Sequence, residues 1–275
     1  MADDRLEVLI EGYDPEKVQE SEVDQDWKQI YSAYQNRTIL QALVVGIETK
    51  LNMPCLIVNI GSIRGYIPFA ESDVKDEAEF YSLTGKNVAF HILNYDREGG
   101  VFTASRKRAR EQMANITWRK LEEGMITLAV ARNVTTNLVY ADIGGIDVKI
   151  PIEEIRYGWI YDLTEEVKPG DHLKVKVTKL DKENEKVTVS AKAAQENPWP
   201  DCAKRYVEGN EYVGRVTGVD EYGVFVNLEP GVDSLARHLR FDEVYKGDQV
   251  LVRIQGVDIE KEQIRTKIVS ILKRG

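Results

Sequence analysis

The sequence predicts an all-β chain, built from three small five-stranded units in tandem and joined by short helices. Two observations predict it. Asp96 follows Gly85 by eleven residues, as Asp181 follows Gly170 and Asp258 follows Gly247. Each interval alternates apolar and polar residues (GKNVAFHILNYD, GDHLKVKVTKLD, GDQVLVRIQGVD). Such alternation buries one face of a strand and leaves the other in water. Nine residues after each Asp stands Ser105, Ser190 or Lys267, closing a second apolar strand. The second observation is the recurrence itself, at intervals of 85 and 77 residues. A fixed period of this kind marks an array of repeated modules.

The elements follow in order. Residues 1–26 hold ten acidic residues against Arg5 and Lys17, a local net charge of −8 within a chain of net −9. The rest of the chain is therefore close to neutral, and the segment reads as a solvated acidic arm, as a partner-docking arm or as a competitor for a basic groove. Trp27, Ile30, Tyr31 and Tyr34 then fall at i, i+3, i+4, i+7, one face of a short helix leading a first unit over residues 27–112. That unit ends in the basic run RKRAR, which opens a helix-compatible linker from Arg106 to Glu123 before Gly124. A second unit spans residues 113–196. The segment NPWPDCAKRYVEG introduces a third, over residues 197–275, with Cys202, Ala203, Tyr206 and Val207 on one side of a helix ending at Gly209.

The third unit shows the strand pattern most plainly: EYVGRVTGV, YGVFVNL, a short piece at DSLARH, DQVLVRIQGV and QIRTKIVSI. Five short strands with a glycine-supported turn after the first fit the OB-fold, whose second and third strands bind single-stranded nucleic acid.

Here the residues resemble a known family. The stretch NPWPDCAKRYVEGNEYVGRVTGVDEYGVFVNLEPGVDSL is similar to the S1 motif, the RNA-binding repeat of the bacterial ribosomal protein S1 family. IGSIRGYIP in the first unit and EEGMITLAVARNV with ADIGGIDVKIP in the second match the same repeats in order. The resemblance implies a translation-associated protein binding single-stranded RNA, messenger RNA above all, in the cytoplasm and near the small ribosomal subunit. It implies two aromatics on the second strand and a histidine after the third. Tyr222 and Phe225 take the aromatic positions in the third unit, with Arg237 and His238 at the histidine position. The second unit offers Asn137 and Tyr140, with Pro151; the first offers Met53 and Leu56, with Pro68.

Physical chemistry supports the same residues. Exposed aromatics stack any base, at about 1–3 kcal/mol per base. Arg237, Arg215 and Arg253 are candidates for phosphate contact or guanidinium stacking. Tyr222 and Phe225 share a face only if a bulge or turn intervenes, and Gly223 stands between them. Arg106, Lys107 and Arg108 read either as a phosphate grip or as a solvated helix face. Arg64 and Tyr66 read as a contact surface on the first unit, for a small-subunit ribosomal protein. If the first two units lack stacking aromatics, the alternative is a protein-docking array with RNA binding limited to the third.

Several functions are not expected. His91, His172 and His238 lie in separate units without paired cysteines, so no metal site and no cofactor are foreseen. Gly99–Gly100 is a hairpin turn, and Glu153, Glu154, Asp181, Glu183 and Glu185 are turn carboxylates with no nucleophile beside them, so no catalysis is expected. Cys55 and Cys202 fall in different units, which suits a reduced, cytosolic monomer. No apolar run reaches the ~18 residues of a membrane span.

Overall fold

The computed structural model describes residues 22–50, 52–240 and 242–275. Residues 1–21, most of the acidic arm, lie outside the described residues. The chain divides into two compact units, residues 1–113 and 114–275.

The first unit opens with helix α1 (Glu22–Asn36). Its apolar stripe does what the spacing predicts: Trp27 and Ile30 are buried, and Tyr31 and Tyr34 meet Tyr95 edge to face at 4.8 and 5.2 Å. The strands are β1 (Leu40–Lys50), β2 (Met53–Ile60), β3 (Ile63–Pro68), β4 (Asn87–Asp96) and β5 (Val101–Ser105). Helix α2 (Glu77–Ser82) precedes β4, capped by the Asp76 carboxylate accepting from the Glu79 N–H. The sheet closes in the order β1-β2-β3-β5-β4, with β3 and β5 parallel and the other neighbours antiparallel. Leu56, Ile67, Phe80, Phe90 and Phe102 fill its interior.

Helix α3 (Arg106–Lys120) follows. It ends three residues short of the expected Glu123, and Gly124 takes a left-handed φ of +84° just beyond. The second unit then holds two sheets. One comprises β6 (Ile126–Val134), β7 (Leu138–Asp142), β8 (Asp147–Pro151), β9 (His172–Asp181) and β10 (Lys186–Ser190), with α4 (Leu163–Glu166) before β9. The other comprises β11 (Glu211–Asp220), β12 (Gly223–Glu229), β13 (Val232–Arg237), β14 (Gln249–Asp258) and β15 (Gln263–Lys273). Between them lies α5 (Trp199–Cys202), much shorter than the helix expected through Val207. Three-residue turns replace it, with Lys204 N–H donating to Asp201 O and Arg205 N–H to Cys202 O. Cys202 and Tyr206 still reach the core, whereas Val207 is exposed.

Three sheets of one pattern are thus present, mostly β and consistent with OB-folds. Each first strand breaks register at the same place: between Val44 and Gly46, between Ala131 and Asn133, and between Val216 and Gly218. A bulge there coils the long first strand so that both its ends can pair.

The OB-fold expected of each unit is a five-stranded barrel, and one unit departs from it. The first and third sheets close, but the middle one is an open sheet in the order β10-β9-β6-β7-β8. The residue at the closing seam differs. Gly65 pairs with Phe102, and any Cβ there would collide with that ring at 2.2 Å. Ser234 pairs with Ile264. The middle sheet has the larger Val148 at this position, and no ladder joins β8 to β10.

Candidate nucleic-acid interface

Cross-strand pairing fixes which residues are equivalent. Phe225 on β12 lies opposite Gly218 and Leu235, just past the first-strand bulge. Tyr140 holds this place in the middle sheet, opposite Asn133 and Lys149. In the first sheet it belongs to Ile57, opposite Gly46 and Tyr66. The alignment of Met53 and Leu56 with the stacking aromatics is therefore one residue out of register. Leu56 is 0% exposed, a core residue like Val139 and Val224. A one-residue slip moves every side chain to the opposite face, and a sequence in which both Leu56 and Ile57 are apolar does not betray it.

Tyr222 and Phe225 do share a face, for a reason other than a bulge at Gly223. Tyr222 lies in the two-residue turn between the paired Asp220 and Gly223, off the ladder, so strand parity does not govern it. Gly223 serves close approach instead: a Cβ there would meet the Ala236 carbonyl oxygen at 2.5 Å. Tyr222 is 65% exposed and stands edge-on to Phe225 at 6.5 Å. Its phenol bonds to the Asp220 carboxylate, which raises its pKa above the ordinary tyrosine value. The His238 ring nitrogen Nε2 lies 2.7 Å from the Asp220 carbonyl oxygen, tying the end of β13 to the same turn.

Two rows cross the outer face of the third sheet. The first runs from Phe225 through Leu235 to Arg265. The second runs from Arg237 through Lys267 to Arg253, three cations at directly paired positions on β13, β15 and β14. All three are exposed. Glu211, across from Arg253 on β11, accepts from its Nε and Nη2 at 3.0 and 2.6 Å. Arg237 and Lys267 make no ion pair among the described residues. Like charges directly opposed on a sheet are destabilising, so the row is costly unless an anion lies along it. Arg265 and Lys267 were missed as contact residues in the sequence, although the alternation of Gln263, Arg265 and Lys267 marks them as outward-facing.

The other candidates scatter. Arg215 is exposed but sits three residues from Gly218 along β11, opposite Asn227 and Gln249, away from both rows. Tyr140 is exposed, with the Lys149 ammonium 5.6 Å from its ring centre. Lys107 and Arg108 are exposed at the start of α3. Arg106 requires a correction: it is 3% exposed and donates through Nη1 to the carbonyls of Ser72 and Asp73, at 2.6 and 3.1 Å. A buried guanidinium spent on backbone carbonyls is a structural tie, not a phosphate grip. In the first sheet, Glu48 gathers the polar groups. Tyr66 donates to it at 3.4 Å, Arg64 and Lys50 each approach it to 3.7 Å, and Lys50 lies 4.7 Å from the Tyr66 ring centre.

One residue that the sequence reading passed over stands at the site. Trp159, from the long segment joining β8 to β9, lies flat on Phe225 with centroids 4.1 Å apart and planes 3° from parallel. Its backbone N–H donates to the Asp233 carboxylate, which also accepts from Asn227 Nδ2 at 2.8 Å. Burial pushes the Asp233 carboxyl above its usual range, against the pull of these donors and of Arg156. Beside the stack is a cavity of about 510 Å³, whose lining includes Trp159, Tyr222, Phe225, Leu235, Lys261 and Arg265.

The S1 RNA-binding domain family matches residues 120–192, the span of the middle sheet. Over those residues the chain carries an S1 RNA-binding domain. The match falls on the middle unit, whereas the sequence reading placed its most specific resemblance in the third. Among curated relatives, the small ribosomal subunit protein bS1 of Pseudomonas aeruginosa is 30% identical over 75% of this chain and 40% of its own length. A 4-hydroxy-3-methylbut-2-enyl diphosphate reductase of Clostridium acetobutylicum is 29% identical over 92% of this chain and 41% of its own. The chain thus spans about two-fifths of these relatives. Among solved structures, an uncharacterized protein, MJ1198, of Methanocaldococcus jannaschii shares 34% identity over 23% of this chain and 92% of its own, with a TM-score of 0.22.

Proposed function

We propose that the chain binds single-stranded RNA, messenger RNA in the first place, through three OB-fold modules of S1 type, in the cytoplasm and in association with the small ribosomal subunit. It does so as a monomer, without cofactor and without catalysis. The observation that carries the reading is the opposed cationic row Arg237–Lys267–Arg253 running beside the aromatic row that begins at Phe225. A phosphate backbone laid along the first would relieve its repulsion, while the bases reach the second. Tyr140 with Lys149 offers a smaller version on the middle sheet.

For the first sheet a protein-docking role is the better reading. Its cations already surround Glu48, and a carboxylate at the centre of the face repels phosphate. The small-subunit ribosomal proteins are the partners we propose.

The test is fluorescence anisotropy with an unstructured RNA at several salt concentrations. Log affinity should fall with log salt. Changing Tyr222 and Phe225 together to Ala should weaken binding by ~2–4 kcal/mol, the worth of about two stacked bases. A flat salt dependence, or unchanged affinity in a folded double variant, would refute the reading.

A further inference from the structure

The stack of Trp159 on Phe225 has the geometry of a base on an aromatic platform: parallel planes in van der Waals contact. It covers the ring face that the proposed function needs. The indole is held there by more than stacking, through its backbone N–H on Asp233 and a Lys246–Glu165 ion pair between the segment leading into β14 and α4.

Two further features bear on how permanent this contact is. The indole Nε1 is buried without an acceptor. A buried donor left unpaired is a standing cost, which release into water would remove. The segment is also braced from within its own half. Arg156 forks onto Glu166 at 2.8 and 2.6 Å and reaches the carbonyls of Tyr157 and Trp159 at 3.0 and 3.2 Å. That brace involves no residue of the third sheet, so on leaving Phe225 the segment keeps it and gives up only the Trp159 N–H bond to Asp233 and the Lys246–Glu165 pair.

We propose that Trp159 is an internal stand-in for a nucleobase, and that RNA on the third sheet and docking of the Trp159 segment on Phe225 exclude one another. The inference rests on the RNA-binding reading above. Free chain holds the platform closed with its own indole; an incoming strand, anchored on Arg237 and Lys267, takes the ring face and frees the segment.

The experiment uses the full chain and a 12-nucleotide oligouridylate. Wild type, Trp159→Ala, Phe225→Ala and the double variant are titrated by anisotropy. Trp159→Ala should bind at least about fivefold more tightly than wild type, the factor that ~1 kcal/mol of released stacking surface is worth. The gain should vanish in the double variant. A second measurement needs no variant: on adding RNA to wild type, amide hydrogen exchange should speed up at residues 157–161 and slow down on β12. If Trp159→Ala binds more weakly than wild type, the indole is part of the RNA platform and the proposal is overturned. Unchanged binding, or slower exchange at residues 157–161 on adding RNA, also overturns it. In these cases the RNA reading survives so long as Phe225→Ala loses affinity. If no chain binds RNA, Trp159→Ala included, the RNA reading itself falls.

Discussion

Lys267 should be a residue that binding gains from and folding does not. It lies between Arg237 and Arg253 on adjacent strands, paired directly with each, and has no carboxylate of its own. Charge pairs directly opposed on a sheet are worth about 0.2–1 kcal/mol, unfavourable when the signs are alike, so Lys267→Gln relieves at most ~0.4–2 kcal/mol over its two pairs at low salt. The change leaves the Arg253–Glu211 fork in place. Because several units unfold in one chain, the fitting assay is hydrogen exchange at the amides of β13–β15 rather than a single melting curve. Protection there should rise, by at most about 2- to 30-fold. The same variant should bind RNA more weakly, with the slope of log affinity against log salt shallower by ~0.7, the loss of one phosphate contact to a single strand. Opposite signs for stability and binding are the signature. If protection is unchanged or falls, the row is not repulsive; if the salt slope is unchanged, it holds no phosphate.

Three further outcomes follow from the structure. Arg106→Met should destabilise the first unit by about 1.5–3 kcal/mol, since the buried Ser72 carbonyl and the partly buried Asp73 carbonyl lose a charged donor; amide exchange on β3 and β5 reads this, with RNA affinity unchanged. Arg156 holds the Glu166 carboxyl below its ordinary value, first through their hydrogen bonds. A depressed folded pKa gives stability that is present above the unfolded value of ~4.3 and lost as pH falls through the lower folded one, so residues 156–166 should lose exchange protection only in acid, and Glu166→Gln should abolish that transition. Deleting residues 1–21, with seven acidic residues against Arg5 and Lys17, should tighten RNA binding at low salt and have little effect near physiological salt, where the Debye length is ~8 Å; weaker binding at every salt concentration would make the segment a contact element.

Much of this architecture is legible in the sequence because strand periodicity and glycine spacing are local signals. The intervals from Gly85, Gly170 and Gly247 locate β4, β9 and β14 within two residues of their observed starts. What was not legible depends on pairing between distant residues. Leu56 and Ile57 are both apolar, and only their partners Ile67 and Tyr66 show which one faces outward. RKRAR reads as five alike residues, four of them basic, until the fold turns Arg106 toward Ser72 and leaves Lys107 in water. The eighteen residues between Pro151 and Gly170 mark a long connection, but nothing local shows that it carries Trp159 to Phe225. The cationic row is assembled from three strands, and its middle member, Lys267, read only as the loss of a serine.

On the function proposed here, the number of aromatics is a poor guide to which sheet would meet a polyanion. The first and third sheets each offer an outward aromatic with cations near it: Tyr66 with Lys50 and Arg64 in one, Phe225 with Arg265 and the neighbouring row in the other. The difference lies in the anion. In the first sheet Glu48 stands among the cations and satisfies them locally. In the third the comparable carboxylate, Glu211, engages only the end of the row. A surface whose charges are already matched gains little from a phosphate, and desolvating its carboxylate beside one is unfavourable. A surface that opposes cations across three strands, with only the end one matched by a carboxylate, is less stable than it need be. Reversing the arrangement should move the binding. Glu48→Gln frees Arg64 and Lys50, and should confer RNA affinity on the first sheet that adds to the salt slope measured for the whole chain. An unaltered slope would show that the outward Ile57, in the place of Phe225, is the stricter barrier.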